Sequence, residues 1–173
     1  MAEAAIRTAL ALGVNVKVFD NNIHKLKRLQ KSLPYQVFTS TIQQRVLTKA
    51  LMRCDVAIGA VKGCNRSPVL VSEEMVQRMK PGAVIIDVCI DNGGCFETSE
   101  ITTHEKPTRE KYGVIHYGVP NITAKFSKTA SLAISNIISP YLLDLSETGS
   151  IDDAVSYDST IRSGIYMYTG IVV

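Results

Sequence analysis

Residues 2–20, AEAAIRTALALGVNVKVFD, set the fold class. Over residues 2–12, Ile6, Ala9 and Leu10 with an alanine-rich remainder form a helix that Gly13 can close. Val14, Val16 and Val18 then alternate into a strand ending at Asp20. A helix running directly into a strand is the second half of a βαβ unit. Where such a unit cradles a dinucleotide, a strand and a glycine-rich turn precede the helix. An acid about 20 positions after the glycines then ends the second strand and holds the ribose 2′-OH. Asp20 stands where that acid belongs, so the reading expects the first strand and its glycines ahead of Met1.

Further along, the same alternation continues. Ile23, Leu26 and Leu29 mark a short amphipathic helix stopped by Pro34, and YQVFTS (35–40) supplies a strand. TIQQRVLTKALMR (41–53) is a second helix and DVAIGAV (55–61) a continuous apolar strand. SEEMVQRMKPG (72–82) has both ends legible, with Ser72 as N-cap, Glu73 and Glu74 in the first turn and Pro81-Gly82 at the stop. AVIIDVCI (83–90) is the most apolar strand, and VIHYG (114–118) is another. Helices alternating with continuous apolar strands imply a doubly wound α/β fold whose parallel sheet is covered on both faces. Ligands of such sheets bind beyond the carboxyl ends of the strands. There the chain gathers Asp20-Asn21-Asn22, Ala60-Val61-Lys62-Gly63, Asp91-Asn92-Gly93-Gly94 and Val119-Pro120-Asn121. From about Phe126 the texture changes to a long helix that Pro140 is expected to kink or interrupt. A short helix near 152–161 and a strand-like GIYMYTGIVV follow, and the β-branched end reads as a cut.

Bulk properties narrow the function classes. The 173 residues, 46% hydrophobic and 20% charged, suit one soluble domain or one and a fraction. A net charge of +3 with no aromatic-basic interleaving argues against nucleic acid, and HKLKRLQK (24–31) reads as a solvated helix face. No apolar run reaches the 18 or so residues of a membrane span. Cys54, Cys64, Cys89 and Cys95 form no CxxC pair, and His24, His104 and His116 do not fall at ligand spacing with them. The reading is therefore cytoplasmic, with reduced thiols and no metal. Cys95 and His104 are read as structural.

KPGAVIIDVCIDNGGCFETS (80–99) resembles the NAD domain shared by alanine dehydrogenase and the α subunit of nicotinamide nucleotide transhydrogenase. The alanine dehydrogenase pattern fits better, through IDxGGCFETS (90–99), TTHxxPT (102–108), HYxVPN (116–121) and TASxAxSN (129–136). The resemblance implies a Rossmann-like NAD domain over residues 1–126 lacking its first strand. Residues 127–173 would return to a catalytic domain that holds the substrate-binding arginine and lysine and the acid/base histidine.

It also implies site residues. Ala2 takes the last place of the GxGxxG/A turn. Asp20 accepts the adenosine ribose hydroxyls and favours NAD over NADP, with Lys25 near the same ribose and Ser40 on the adenine side. Ala60 and Val61 pass beneath the cofactor, and Val88, Val119, Asn121 and Ile122 wall the nicotinamide end. Asp91 is the catalytic carboxylate at the reacting end. Asp20 and Asp91 fit an Asx-turn at a strand end as well, Asn121 a helix cap, and Val88, Val119 and Ile122 a core. Thr123 and Phe126-Ser127-Lys128 depart from the family pattern. The implied activity is oxidative deamination of L-alanine to pyruvate and ammonia by a homo-oligomer. A transhydrogenase fragment and a non-catalytic NAD-binding or oligomer-forming remnant are the alternatives.

Overall fold

The computed structural model describes residues 2–63 and 65–172, apart from the side chain of Thr148. Cys64 lies outside the described residues. The chain divides into two compact units, one running to Ile122 and the other starting at Thr123.

The first unit alternates helix and strand: α1 (Ala2–Ala11), β1 (Lys17–Phe19), α2 (Ile23–Ser32), β2 (Phe38–Ser40), α3 (Gln44–Leu51), β3 (Val56–Gly59), α4 (Glu73–Gln77) and β4 (Val84–Asp87). A 3-10 turn (Ile90–Asn92), β5 (Thr108–Lys111) and β6 (Val114–Tyr117) complete it. The strands form two sheets. β1 pairs with β2 in parallel, Val18 opposite Thr39. The second sheet has the order β3-β4-β6-β5, with Gly59 opposite Asp87 and Ile86 opposite Tyr117 in its parallel part. Among the described residues, no strand joins β1 to β3.

Alternation of burial along the four-stranded sheet shows which face carries the core. Ile85 and Val114 are completely buried, and they cluster with Leu47 and Leu51 of α3 and Met75 and Val76 of α4. The opposite face is open at β3, where Val56 and Ile58 are half exposed. The alternation of helices and apolar strands implies helices on both faces. Within this unit α3 and α4 close one. The amino end of α1 meets the other over a cavity lined by Ala2, Ala4, Ala5, Ile58 and Ile86.

Other departures have local causes. β1 begins at Lys17, so Val14 and Val16 precede it and Val14 is half exposed. β5 was not expected, because its TREK sequence carries no apolar alternation. It is an antiparallel edge strand joined to β6 by Tyr112-Gly113, both at positive φ (58° and 72°), as a tight hairpin turn requires. Ser72 caps α4 by accepting from the Met75 N–H, as its position implied.

A 3-10 turn (Ile122–Phe126) spans the boundary and leads into α5 (Ser127–Thr148) of the second unit, which runs unbroken through Pro140. A proline in a helix removes one N–H donor and presses on the preceding turn, and here that loss does not end the helix. α6 (Ile151–Tyr157) and α7 (Ser159–Ser163) follow. Asp158 divides the expected single helix by capping α7 through the Thr160 N–H at 2.7 Å. β7 (Met167–Tyr168) and β8 (Ile171–Val172) form a small hairpin.

Candidate functional site

Every residue singled out from the sequence in the first unit follows the carboxyl end of a parallel strand or opens α1 or α2. Asp20 directly follows β1 and Ser40 ends β2, and the Asp20 N–H donates to the Ser40 carbonyl at 3.2 Å. Asp20 Oδ1 accepts from the Asn22 N–H at 2.7 Å, which is the turn-forming bond an Asp at a strand end makes. Its Oδ2 takes no hydrogen bond from the described residues. Lys25 lies exposed in the first turn of α2, its N–H capped by the Asn22 side chain at 3.1 Å. Asp20, Ser40 and the start of α2 therefore belong to one corner of the backbone, at the ends of the two-stranded sheet, where the Ser40 hydroxyl donates to the Thr41 carbonyl at 2.9 Å.

The second group lies at the ends of β3, β4 and β6. Ala2, Ala60, Val88 and Ile122 line a single cavity with Ala4, Ala5, Ile58 and Ile86, about 320 Å³ in volume. Its walls are aliphatic throughout, and four of its eight side chains are alanine. Such a lining accepts the flat face of a ring and offers it no hydrogen bond. Val61 lies apart from this wall, half buried against the core, with its carbonyl accepting from Ser67 Oγ at 3.1 Å. Val119 is 2% exposed and is a core side chain.

Asp91 is exposed in the 3-10 turn after β4, and its Oδ1 accepts from the Asn121 N–H at 2.8 Å. Asn121 has a φ of +48°, a left-handed conformation that asparagine tolerates better than most residues. The bond ties the turn after β4 to the loop after β6. It makes Asp91 a bridge between strands where the sequence also allowed a turn confined to its own loop.

One arrangement was not visible from spacing. Asp87, at the last position of β4 and 1% exposed, orders the loop beyond it. Oδ1 accepts from the Cys89 N–H at 3.2 Å and Oδ2 from the Cys95 N–H at 2.9 Å and the Phe96 N–H at 3.4 Å. The loop it holds lies over β3: a Cβ on Gly59 would come within 2.3 Å of Cys95 Sγ. Burial pushes the Cys89 and Cys95 thiols up, and the Asp87 carboxylate adds to both shifts. Burial pushes His116 down; its Nε2 meets Thr98 Oγ1 at 2.8 Å and its Nδ1 meets the Val114 carbonyl at 3.0 Å.

Two sheets, parallel but for the edge strand β5, with polar residues beyond the strand ends of one and an apolar cavity beyond those of the other, define a doubly wound ligand-binding domain. The chain belongs to the alanine dehydrogenase/PNT C-terminal domain family, whose pattern matches residues 1–173. It is 37% identical over 169 residues to alanine dehydrogenase of Bacillus subtilis (strain 168), covering 96% of this chain and 44% of that protein. To alanine dehydrogenase of Mycobacterium tuberculosis (strain ATCC 25618 / H37Rv) it is 40% identical over 146 residues, 84% of this chain and 39% of that one. A solved L-alanine dehydrogenase superposes with a TM-score of 0.89 at 33% identity, covering 98% of this chain and 46% of that one. A transhydrogenase from Sinorhizobium meliloti shares the fold, with a TM-score of 0.78 at 24% identity over 99% of this chain and 46% of that one. The chain spans less than half the length of these relatives.

Proposed function

We propose that this chain is the NAD-binding portion of an enzyme that oxidatively deaminates L-alanine to pyruvate and ammonia. The observation that carries the reading is the split of the strand ends into a polar corner and an aliphatic cavity. A dinucleotide needs both, since one end is a hydroxylated ribose and the other a flat ring. In this reading Asp20 Oδ2 accepts ribose hydroxyls and repels a 2′-phosphate, and Ser40 and Lys25, from the neighbouring strand end and helix start, serve the same end of the cofactor. Ala2 and Ala60 are small enough to let the cofactor approach the backbone, and Val88 and Ile122 support the ring, with Val61 and Val119 behind as packing. NAD, when bound, supplies the acceptor for a hydride from the substrate Cα.

Asp91 and Asn121 then stand at the reacting end. In this reading the Asp91 carboxylate orients water or the imine and offsets positive charge developing on nitrogen, while its bond to the Asn121 N–H fixes its direction. The site closes against the region of the relatives that these 173 residues do not span, which excludes water during hydride transfer. That region would contain the histidine that moves protons and the arginine and lysine that hold the substrate carboxylate. The whole enzyme would be a cytoplasmic homo-oligomer, with no nucleic acid or membrane partner. Among the described residues, no helix is long and apolar enough to cross a membrane.

The transhydrogenase reading rests on the family pattern that the two enzymes share and on a fold likeness at 24% identity. Absorbance at 340 nm with L-alanine and NAD at alkaline pH distinguishes the two, using the longest polypeptide that the coding frame encodes. Alanine-dependent NADH formation is the expected result. NADH formation that does not depend on alanine would overturn the reading.

A further inference from the structure

We propose that Asp87, Cys89 and Cys95 form a binding site for one thiophilic divalent cation of the zinc class. The three ligand atoms lie within 4.8 Å of one another, and all three residues are buried. Cys89 Sγ is 3.1 Å and Cys95 Sγ 3.9 Å from the same oxygen, Asp87 Oδ1. The centre of the triangle these atoms form, the nearest point equidistant from all three, lies at most about 2.4 Å from each. Zinc takes sulfur at roughly 2.3 Å and carboxylate oxygen at roughly 2.0–2.2 Å, so the side chains stand close to coordinating distance already. This inference does not depend on the NAD reading.

Charge balance favours the same exchange. Two thiols beside one ionised carboxylate carry a net charge of −1. Two thiolates, the carboxylate and one divalent ion also carry −1, because the ion replaces the two thiol protons that face Oδ1. A buried site therefore gains an ion without gaining net charge, which removes the main cost of burying one. The arrangement also has its outer support in place. Oδ2 remains held by the Cys95 and Phe96 N–H groups, as ligating carboxylates are by their neighbours. Cys89 and Cys95 lie six positions apart, with Gly93 and Gly94 at positive φ between them, so the loop folds back and returns Cys95 to the strand end it left. Spacing among cysteines and histidines alone does not expose such a set, because its third member is an aspartate at the end of a strand.

The test uses the 173-residue chain with Cys54 and Cys64 replaced by serine, so that only the paired thiols remain. Under a phosphine reductant, cobalt(II) is added to the folded protein and, separately, during refolding from denaturant. One ion per chain is expected, with a near-ultraviolet thiolate-to-cobalt band that zinc(II) abolishes. The midpoint of thermal unfolding is expected to rise by about 5 °C or more at a hundredfold excess over Kd. Cys89→Ser and Cys95→Ser should each remove the band while far-ultraviolet circular dichroism is unchanged, and Asp87→Asn should weaken it. Protein expressed in zinc-supplemented medium provides a second measurement, by metal analysis after desalting, that does not depend on any variant folding. No band together with less than a tenth of an ion per chain would overturn the proposal. So would a band that survives loss of either cysteine, or recovery of a Cys89–Cys95 disulfide with no metal.

Discussion

The two sheets of the first unit differ in how they are held and in what they offer a ligand. The four-stranded sheet has completely buried side chains at Ile85 and Val114, and α3 and α4 close one of its faces. In the β1–β2 pair Phe38 is half exposed, and Phe19 meets it at a centroid distance of 6.2 Å. Correspondingly, the aliphatic cavity and Asp91 belong to the ends of the buried sheet, and Asp20 and Ser40, proposed for the ribose end of the cofactor, to the ends of the exposed one. Stability and the proposed chemistry are thus concentrated in one sheet, while cofactor choice is assigned to the other.

Four tests sharpen or break that contrast. The largest effect is expected at the reacting end. In the longest polypeptide that the coding frame encodes, Asp91→Asn should lower the alanine-dependent kcat about a hundredfold or more and move the NAD dissociation constant little, as steady-state rates and calorimetry together would show. A fall confined to cofactor affinity would place Asp91 with the binding residues. Next comes the difference in burial. Ile85→Ala should cost about 2–5 kcal/mol of unfolding free energy in urea, whereas Val18→Ala, on the half-buried strand, should cost about 1 kcal/mol or less. Equal losses would mean that β1 is held as firmly as β4, beyond the contact Phe19 makes with the core of the four-stranded sheet.

Cofactor choice follows. Asp20→Ala should narrow the preference for NAD over NADP by about tenfold to a hundredfold, the worth of a charged hydrogen bond of roughly 1.5–3 kcal/mol. Comparable use of both cofactors by the unaltered enzyme would remove Asp20 from that role. The smallest effect is a pH slope. Burial depresses the His116 pKa in the fold, so the unfolded chain takes the proton first as pH falls through about 6.5. Stability is then full above that value and declines below it until the folded ring is protonated too. The urea midpoint should show this decline between about pH 7 and 5, and His116→Gln should flatten it.

Much of this contrast was legible in the sequence, because it rests on strand ends and caps. Asp20, Ala60 and Asp91 follow apolar runs, and Ser72 precedes two acids in a helix first turn. The structure adds what depends on contacts between distant positions. β5 carries TREK, whose charged residues suit an edge strand and give no apolar period, so only its pairing with β6 reveals it. α5 continues through Pro140 because one lost hydrogen bond does not outweigh those around it. Asp91 reaches thirty residues along the chain to the Asn121 N–H, and Asp87 gathers Cys89 and Cys95 through a loop whose return no local pattern announces. The half-open face of β3 likewise belongs to packing, since Val56 and Ile58 read as core in any strand of that composition.

Calorimetric titration of NAD into the longest polypeptide that the coding frame encodes and its Ala60→Phe variant tests the central claim most directly. Ala60 is exposed at the end of β3 and lines the aliphatic cavity, so a phenyl group there should fill the space assigned to the cofactor and leave the core untouched. Saturable binding of one NAD per chain, weakened at least about tenfold by the substitution, or roughly 1.4 kcal/mol, is the expected result. Equal affinity in the two proteins would contradict the placement of NAD over these strand ends.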